Sequence, residues 1–236
     1  MIRFEQVTHQ FPTGLTALED INLEIEPGEF VFLVGPSGAG KTTFLRLLLK
    51  ELTPTQGQIF FQDEELGGMK ASQIPLLRRR IGAIFQDFKL LEDRTLAENV
   101  ALVLQIQNRQ EEQIQQAVAE ALGLVGLAGK EAMFPAQLSG GEVQRAVIAR
   151  AVISDPDLVF ADEPTGNLDP EIARQIVDLL KQIQEAGKTV LMATHNVDIV
   201  DRAKERVIRL DKGKIVGDEK KGSYKGRKKK KDESST

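Results

Sequence analysis

Cysteine is absent from the 236 residues, which excludes disulfides and thiolate metal centres and fits a reducing compartment. Histidine is nearly as scarce, and His9 and His195 are too few for a metal cluster. No run reaches the roughly 18 apolar residues of a membrane-spanning helix. The opening MIRFEQVTHQ also lacks the charged-then-apolar layout of a signal peptide. These absences predict a chain that itself stays in the cytosol. Apolar residues make up 41% and charged residues 28% of the chain, an ordinary balance for one large soluble domain or two small ones.

Net charge is −4, but it is unevenly spread. From Lys220 onward, eight Lys or Arg stand against Asp232 and Glu233, giving this segment +6 and leaving −10 on the remainder. Residues 220–236 therefore read as a basic, disordered tail, with too little apolar surface to offset the cost of ordering. Attraction to anionic lipid is the sharper reading, at roughly 1 kcal/mol per basic residue near a membrane surface. Nucleic acid is not expected as a partner, because the body is acidic.

Short apolar runs alternate with helical patterns, which predicts a layered α/β domain. Residues 2–26 read as antiparallel strands. In INLEIE, Ile21, Leu23 and Ile25 alternate with polar residues, so one face points inward and the other to water. FVFLVG (30–35), LVFAD (158–162) and TVLMAT (189–194) are continuous apolar runs, as expected of central strands covered on both faces. From about 88 to 156 the pattern is helical throughout and predicts a helical subdomain inserted into the sheet core. RVIRLDKGKIVGD near residue 210 places a Lys-Gly turn between two short runs and predicts a hairpin.

GPSGAGKTT, from Gly35 to Thr43, follows an apolar strand at once and opens a helix, the context a phosphate-binding loop requires. Gly35, Gly38 and Gly40 let backbone N–H groups curl around phosphates, with Pro36, Ser37 and Ala39 between them. Lys41 supplies a point charge and Thr42 a hydroxyl for Mg²⁺. LVFADEP ends a buried strand in two carboxylates, which is costly without something cationic or reactive nearby. Asp162 would hold Mg²⁺ through water, and Glu163 would polarise the water that attacks a γ-phosphate.

LSGGE (138–142) precedes the helical run VQRAVIARAV. Ser139 and Glu142 have capping-box spacing, so a purely structural reading is available. It leaves Gly140 and Gly141 unexplained, whereas close approach of an anion to a helix N-terminus accounts for both.

In this order, GPSGAGKT, Gln86 in FQDF, LSGGE, LVFADEP, NLD (167–169) and His195 in ATHN resemble the motif set of the ATP-binding-cassette (ABC) ATPases. The resemblance covers about residues 1–217, and LSGGE is its most specific element. It implies an α/β P-loop NTPase cassette over residues 1–219, with a mixed β core, an antiparallel β subdomain and the inserted helical subdomain. It also implies that two copies face each other head to tail, the signature of one closing over the ATP of the other.

Further roles follow from the same resemblance. Phe11 would stack on adenine, with a core phenylalanine as the alternative. Gln86 would reach the metal and the attacking water while linking nucleotide state to the helical subdomain. His195 would contact the γ-phosphate and orient the catalytic groups. Asp169 would contact the partner copy; preceding Pro170 and an amphipathic run, it also suits an N-cap. Val143 departs from the family pattern, which commonly has a polar residue there.

Within the family, FQDFKLL and ADEPTGNLDP resemble the cell-division ATPases, in a branch shared with lipoprotein-release and macrolide-export ATPases. That likeness implies an integral membrane partner worked by ATP-driven closure at the cytoplasmic face. An exporter ATPase and an ATP-binding scaffold with little hydrolysis remain alternatives. The intact Glu163 and His195 argue against the scaffold.

Overall fold

The computed structural model describes residues 1–224. Most of the basic tail, with the disorder and lipid contact expected of it, lies outside the described residues.

Two sheets organise the fold. The first is antiparallel, in the order β2-β1-β4-β5, from β1 (Ile2–Gln10), β2 (Thr16–Ile25), β4 (Gln56–Phe61) and β5 (Glu64–Glu65). Its register pairs Ile2 with Ile25, Phe4 with Leu23 and Val7 with Ile21, so the alternating apolar residues share one buried face. From sequence, antiparallel strands of this sheet are expected only as far as residue 26. β4 and β5 extend it, with Ile59 and Phe61 continuing the buried face.

The second sheet has six strands in the order β10-β9-β3-β8-β7-β6. β3 (Phe30–Val34), β6 (Ile81–Ile84), β7 (Leu158–Asp162), β8 (Thr189–Thr194) and β9 (Arg206–Asp211) run parallel, and β10 (Lys214–Glu219) closes a hairpin on β9. The three continuous apolar runs form its centre because both faces are covered. Phe32, Val34, Val159 and Met192 point to one apolar cluster, whereas Val31, Leu33, Phe160 and Leu191 point to the other.

α1 (Lys41–Leu48) packs between the two sheets, its Phe44 stacked on Phe4 at 4.2 Å between ring centroids. Across the opposite face lie α3 (Leu96–Ile106), α4 (Glu111–Leu124), α5 (Gly140–Val152) and α6 (Pro170–Glu185). Short α2 (Ile74–Arg79) and α7 (Val197–Ala203) complete the α-helices among the described residues. No strand occurs from 88 to 156. No helix among the described residues is long and apolar enough to cross a membrane. Beyond β10 the chain remains packed as far as Tyr224, five residues past the predicted domain end.

Candidate active site

Four parallel strands deliver four functional segments to one edge of the sheet. β3 runs into Gly35, β7 ends at Asp162, β8 runs into His195, and β6 ends two residues before Gln86. The register aligns Val34 with Thr194, Asp162 with Ala193, and Ile84 with Ala161. Carboxyl ends of neighbouring parallel strands are where open α/β sheets bind ligands.

The phosphate loop arcs from β3 to α1, and its glycines have different reasons. A Cβ on Gly35 would stand 2.3 Å from the Leu210 carbonyl oxygen, and one on Gly40 would stand 2.6 Å from Leu18 Cδ2. Both are glycine because backbone and side chains press from behind. Gly38 has open space around it but a φ of 78°, a conformation that favours glycine.

Lys41 is buried. Its Nζ donates to the carbonyls of Gly35 (2.8 Å) and Pro36 (3.2 Å) and lies 3.8 Å from Glu163 Oε1, so its charge is paired as burial requires. Thr42 Oγ1 donates to Asp162 Oδ2 at 3.1 Å. Burial pushes the Asp162 carboxyl above its ordinary value, against the Thr42 hydrogen bond, which lowers it. A carboxylate and a hydroxyl held this close form a hard oxygen-donor pair of the kind Mg²⁺ accepts beside phosphate.

Glu163 is held in a left-handed conformation, φ 49°, which a residue with a side chain adopts only when its surroundings impose it. Its N–H donates to the Ala193 carbonyl at 2.9 Å, fixing the turn out of β7. The carboxylate then receives His195 Nδ1 at 2.8 Å and the His195 N–H at 3.3 Å. A base oriented by a histidine on the next strand is an arrangement suited to activating water.

These residues share one cleft of about 670 Å³. Its walls are the phosphate loop from Pro36 to Thr43 apart from Ala39, which is buried beneath, together with Gln86, Asp162, Glu163 and His195. Phe11 and the exposed Leu15 also line it. Phe11 is half-buried and sits edge-on to His9, ring centroids 4.9 Å apart. A second concavity of about 640 Å³, between α6 and α7, has no such gathering of phosphate-binding groups.

LSGGE does not line that cleft. Ser139 caps α5: its Oγ accepts from the Glu142 N–H at 3.4 Å, while Glu142 Oε2 accepts from the Ser139 N–H (2.9 Å) and Oγ (2.8 Å). The Lys130 ammonium, paired with Glu142, together with the Ser139 hydrogen bonds holds the Glu142 carboxyl down to about 2. The two glycines separate here. A Cβ on Gly141 would meet Ile172 Cγ2 at 2.6 Å, whereas one on Gly140 would meet only Leu168 Cδ2 at 3.6 Å. Gly141 thus has a packing reason that the sequence reading did not supply, and Gly140 alone lacks one. Asp169 lies away from the cleft as well and caps α6, Oδ1 accepting from Glu171 N (3.1 Å) and Ile172 N (3.0 Å).

Against this geometry, residues 18–166 match the family described as "ABC transporter". The chain belongs to the ABC transporter family. It is an ABC ATPase, and ATP is the nucleotide this family binds. Over 224 residues it is 49% identical to the cell division ATP-binding protein FtsE of Bacillus subtilis (strain 168), covering 95% of this chain and 98% of that protein. The FtsE proteins of Mycobacterium tuberculosis (48%) and Escherichia coli K12 (44%) match with similar coverage. Among solved structures, a bacterial ABC transporter cassette described as dimeric superposes with a TM-score of 0.84 at 37% identity, over 93% of this chain and 98% of that one. A dimeric cassette in a post-hydrolysis state, bound to ADP and Pi, superposes equally well at 34% identity.

Two cassette features escape sequence reading. Arg150 on α5 donates from Nη1 to the Lys89 carbonyl (2.5 Å) and from Nη2 to the Phe88 carbonyl (2.9 Å). Phe88 and Lys89 are both left-handed, so the signature helix clamps the loop that follows Gln86. Tyr224, from the segment expected to be disordered, lines the cleft beside Glu163 and His195.

Proposed function

We propose that two copies of this cassette close head to tail around two Mg·ATP and that the closing and opening drive an integral membrane partner of the FtsX type. On this reading the chain is the ATPase subunit of a cell-division complex that controls cell-wall hydrolases, a peripheral protein at the cytoplasmic face of the membrane. The extent of identity to FtsE proteins favours this over an exporter ATPase.

One observation carries the proposal. The phosphate loop, Glu163 and His195 share a cleft, while Ser139 and Gly140 stand at a helix N-terminus that does not reach it. A helix N-terminus with a bare glycine is suited to an anion, and the anion it lacks within one chain is the γ-phosphate held by a second copy.

Each residue then has a defined task. Glu163, oriented by His195, takes the proton of the attacking water. Lys41 turns from the carbonyls of Gly35 and Pro36 to the terminal phosphates, and the partner copy's Ser139 and Gly140 stabilise charge on the transferring group. Asp162 and Thr42, with Gln86 alongside, would hold Mg²⁺, whose chemistry is to neutralise phosphate charge. Phe11 supports the adenine. Asp169 keeps its cap while facing the other copy.

Glu163→Gln tests the reading. Phosphate release should fall by about 10²–10⁴-fold, while light scattering shows a stable dimer with ATP. Undiminished release from this variant would count against the base assignment.

A further inference from the structure

Tyr224 stands in the ATP cleft although none of the nucleotide-binding motifs leads to it. It is the single tyrosine of a chain with no tryptophan. The backbone before it is fastened at three points. The Gly222 N–H donates to the Glu205 carbonyl (3.1 Å), Arg209 Nη1 to the Ser223 carbonyl (3.4 Å), and the Tyr224 N–H to Asp201 Oδ1 (2.7 Å). Gly222 is pressed against β9, since a Cβ there would lie 2.8 Å from Val207 Cβ. The segment therefore crosses from β10 over β9 to the end of α7 and leaves the half-buried ring against the apolar cluster beneath the sheet.

A C-terminal clip that merely finishes the packing would account for the three anchors. It does not account for the position of the ring, which forms part of the wall shared with Glu163 and His195. The phenol also senses that wall, because burial and then the negative charge of Glu163 raise it above its ordinary value. Glu163 takes its hydrogen bonds from His195, so the ring shields the base without orienting it. On the reading proposed above, the partner's Ser139 has to reach this same cleft. Two of the anchors are open to exchange with water: one is a long bond to a carbonyl, and another ends on a single exposed carboxylate.

We propose that Gly222–Tyr224 is a gate on the ATP site, shut against the Glu163 wall by Asp201 and displaced when Mg·ATP binds and the cassette closes. This rests on the dimer reading for the closure but not for the response to nucleotide. The gate couples the chain's C-terminal segment to nucleotide state, so a contact that pulls on this segment would change turnover.

The single tyrosine, excited above the phenylalanine band, is its own reporter. On the full wild-type chain, acrylamide quenching of Tyr224 emission and mass by light scattering are measured with and without a non-hydrolysable ATP analogue and Mg²⁺, corrected for nucleotide absorbance. The expected result is a dimer whose quenching constant changes by about twofold or more. Asp201→Ala should give the changed constant before nucleotide is added and lower the half-saturating ATP concentration on the order of fivefold, a modest coupling. A dimer with unchanged quenching in wild type, or an Asp201→Ala chain identical to wild type in both readouts, overturns the gate and spares the dimer. Changed quenching in a chain that stays monomeric supports the gate's response to nucleotide and overturns the dimer.

Discussion

Gly141 and Ile172 leave no room between them: a single added methyl on the glycine would sit 2.6 Å from Ile172 Cγ2. The signature helix α5 and the helix α6 behind Asp169 are thus fixed in mutual position at the N-terminal ends of both. Gly141→Ala should cost about 1–3 kcal/mol as an overpacked contact, lowering Tm by about 2–4 °C per kcal/mol in a chain of this size. Gly140→Ala makes only an ordinary van der Waals contact with Leu168 Cδ2, at 3.6 Å, and should change stability by no more than about 0.5 kcal/mol. It should still reduce phosphate release, on the order of 10²-fold if the methyl displaces the phosphate contact by an ångström. Thermal melts beside phosphate release separate the two roles. Equal effects of both substitutions on Tm would refute the division.

Arg150 ties the signature helix to the loop after Gln86 through two carbonyls of left-handed residues. Arg150→Ala leaves both carbonyls without this donor, a loss of about 1–3 kcal/mol, and lets the loop relax. Turnover should fall with stability while ATP affinity holds, because Gln86 shifts and the phosphate loop does not. Arg150→Lys keeps the charge but has one donor head, too compact to straddle both carbonyls, and should lie between. Full turnover in Arg150→Ala would mean that the clamp does not transmit position to Gln86.

Glu142 supplies a pH test. Its folded value, about 2, lies below the ordinary 4.5. Its contribution to stability is therefore present above about pH 4.5 and lost as pH falls through about 2, where folded and unfolded states bind the proton alike. Wild type should melt above Glu142→Gln at neutral pH, and the gap should shrink as pH drops from about 4.5 toward 2. A gap independent of pH would show that the Lys130 and Ser139 bonds do not depend on the charge. The same comparison in high salt should narrow it at neutral pH, since the pair is partly exposed.

Much of the fold is legible in the sequence wherever burial leaves a local pattern. FVFLV, LVFAD and TVLMAT are readable because a strand covered on both faces has no polar positions, and INLEIE because one of its faces is wet. β4 is hidden because Gln56, Gly57 and Gln58 precede its buried residues, and Gly57 is there to clear the Gln6 carbonyl across the sheet, 2.3 Å from where a Cβ would stand. The site follows the same rule. Lys41, Thr42, Asp162 and Glu163 sit in motifs whose chemistry is local. The reasons for Gly35, Gly40 and Gly141 lie in Leu210, Leu18 and Ile172, which spacing along the chain cannot reveal. Tyr224 is the extreme case, since its surroundings in sequence are basic and polar while its anchors are Asp201, Glu205 and Arg209.

The cysteine-free sequence permits the most direct measurement of all. A Ser37→Cys chain and a Ser139→Cys chain, both also carrying Glu163→Gln, are mixed with Mg·ATP and a short thiol cross-linker. If each nucleotide is completed by the signature of the other copy, a covalent heterodimer forms with ATP and not without it, and neither chain alone yields it. Absence of that heterodimer under saturating ATP, with wild-type phosphate release per chain independent of protein concentration, would contradict the shared site.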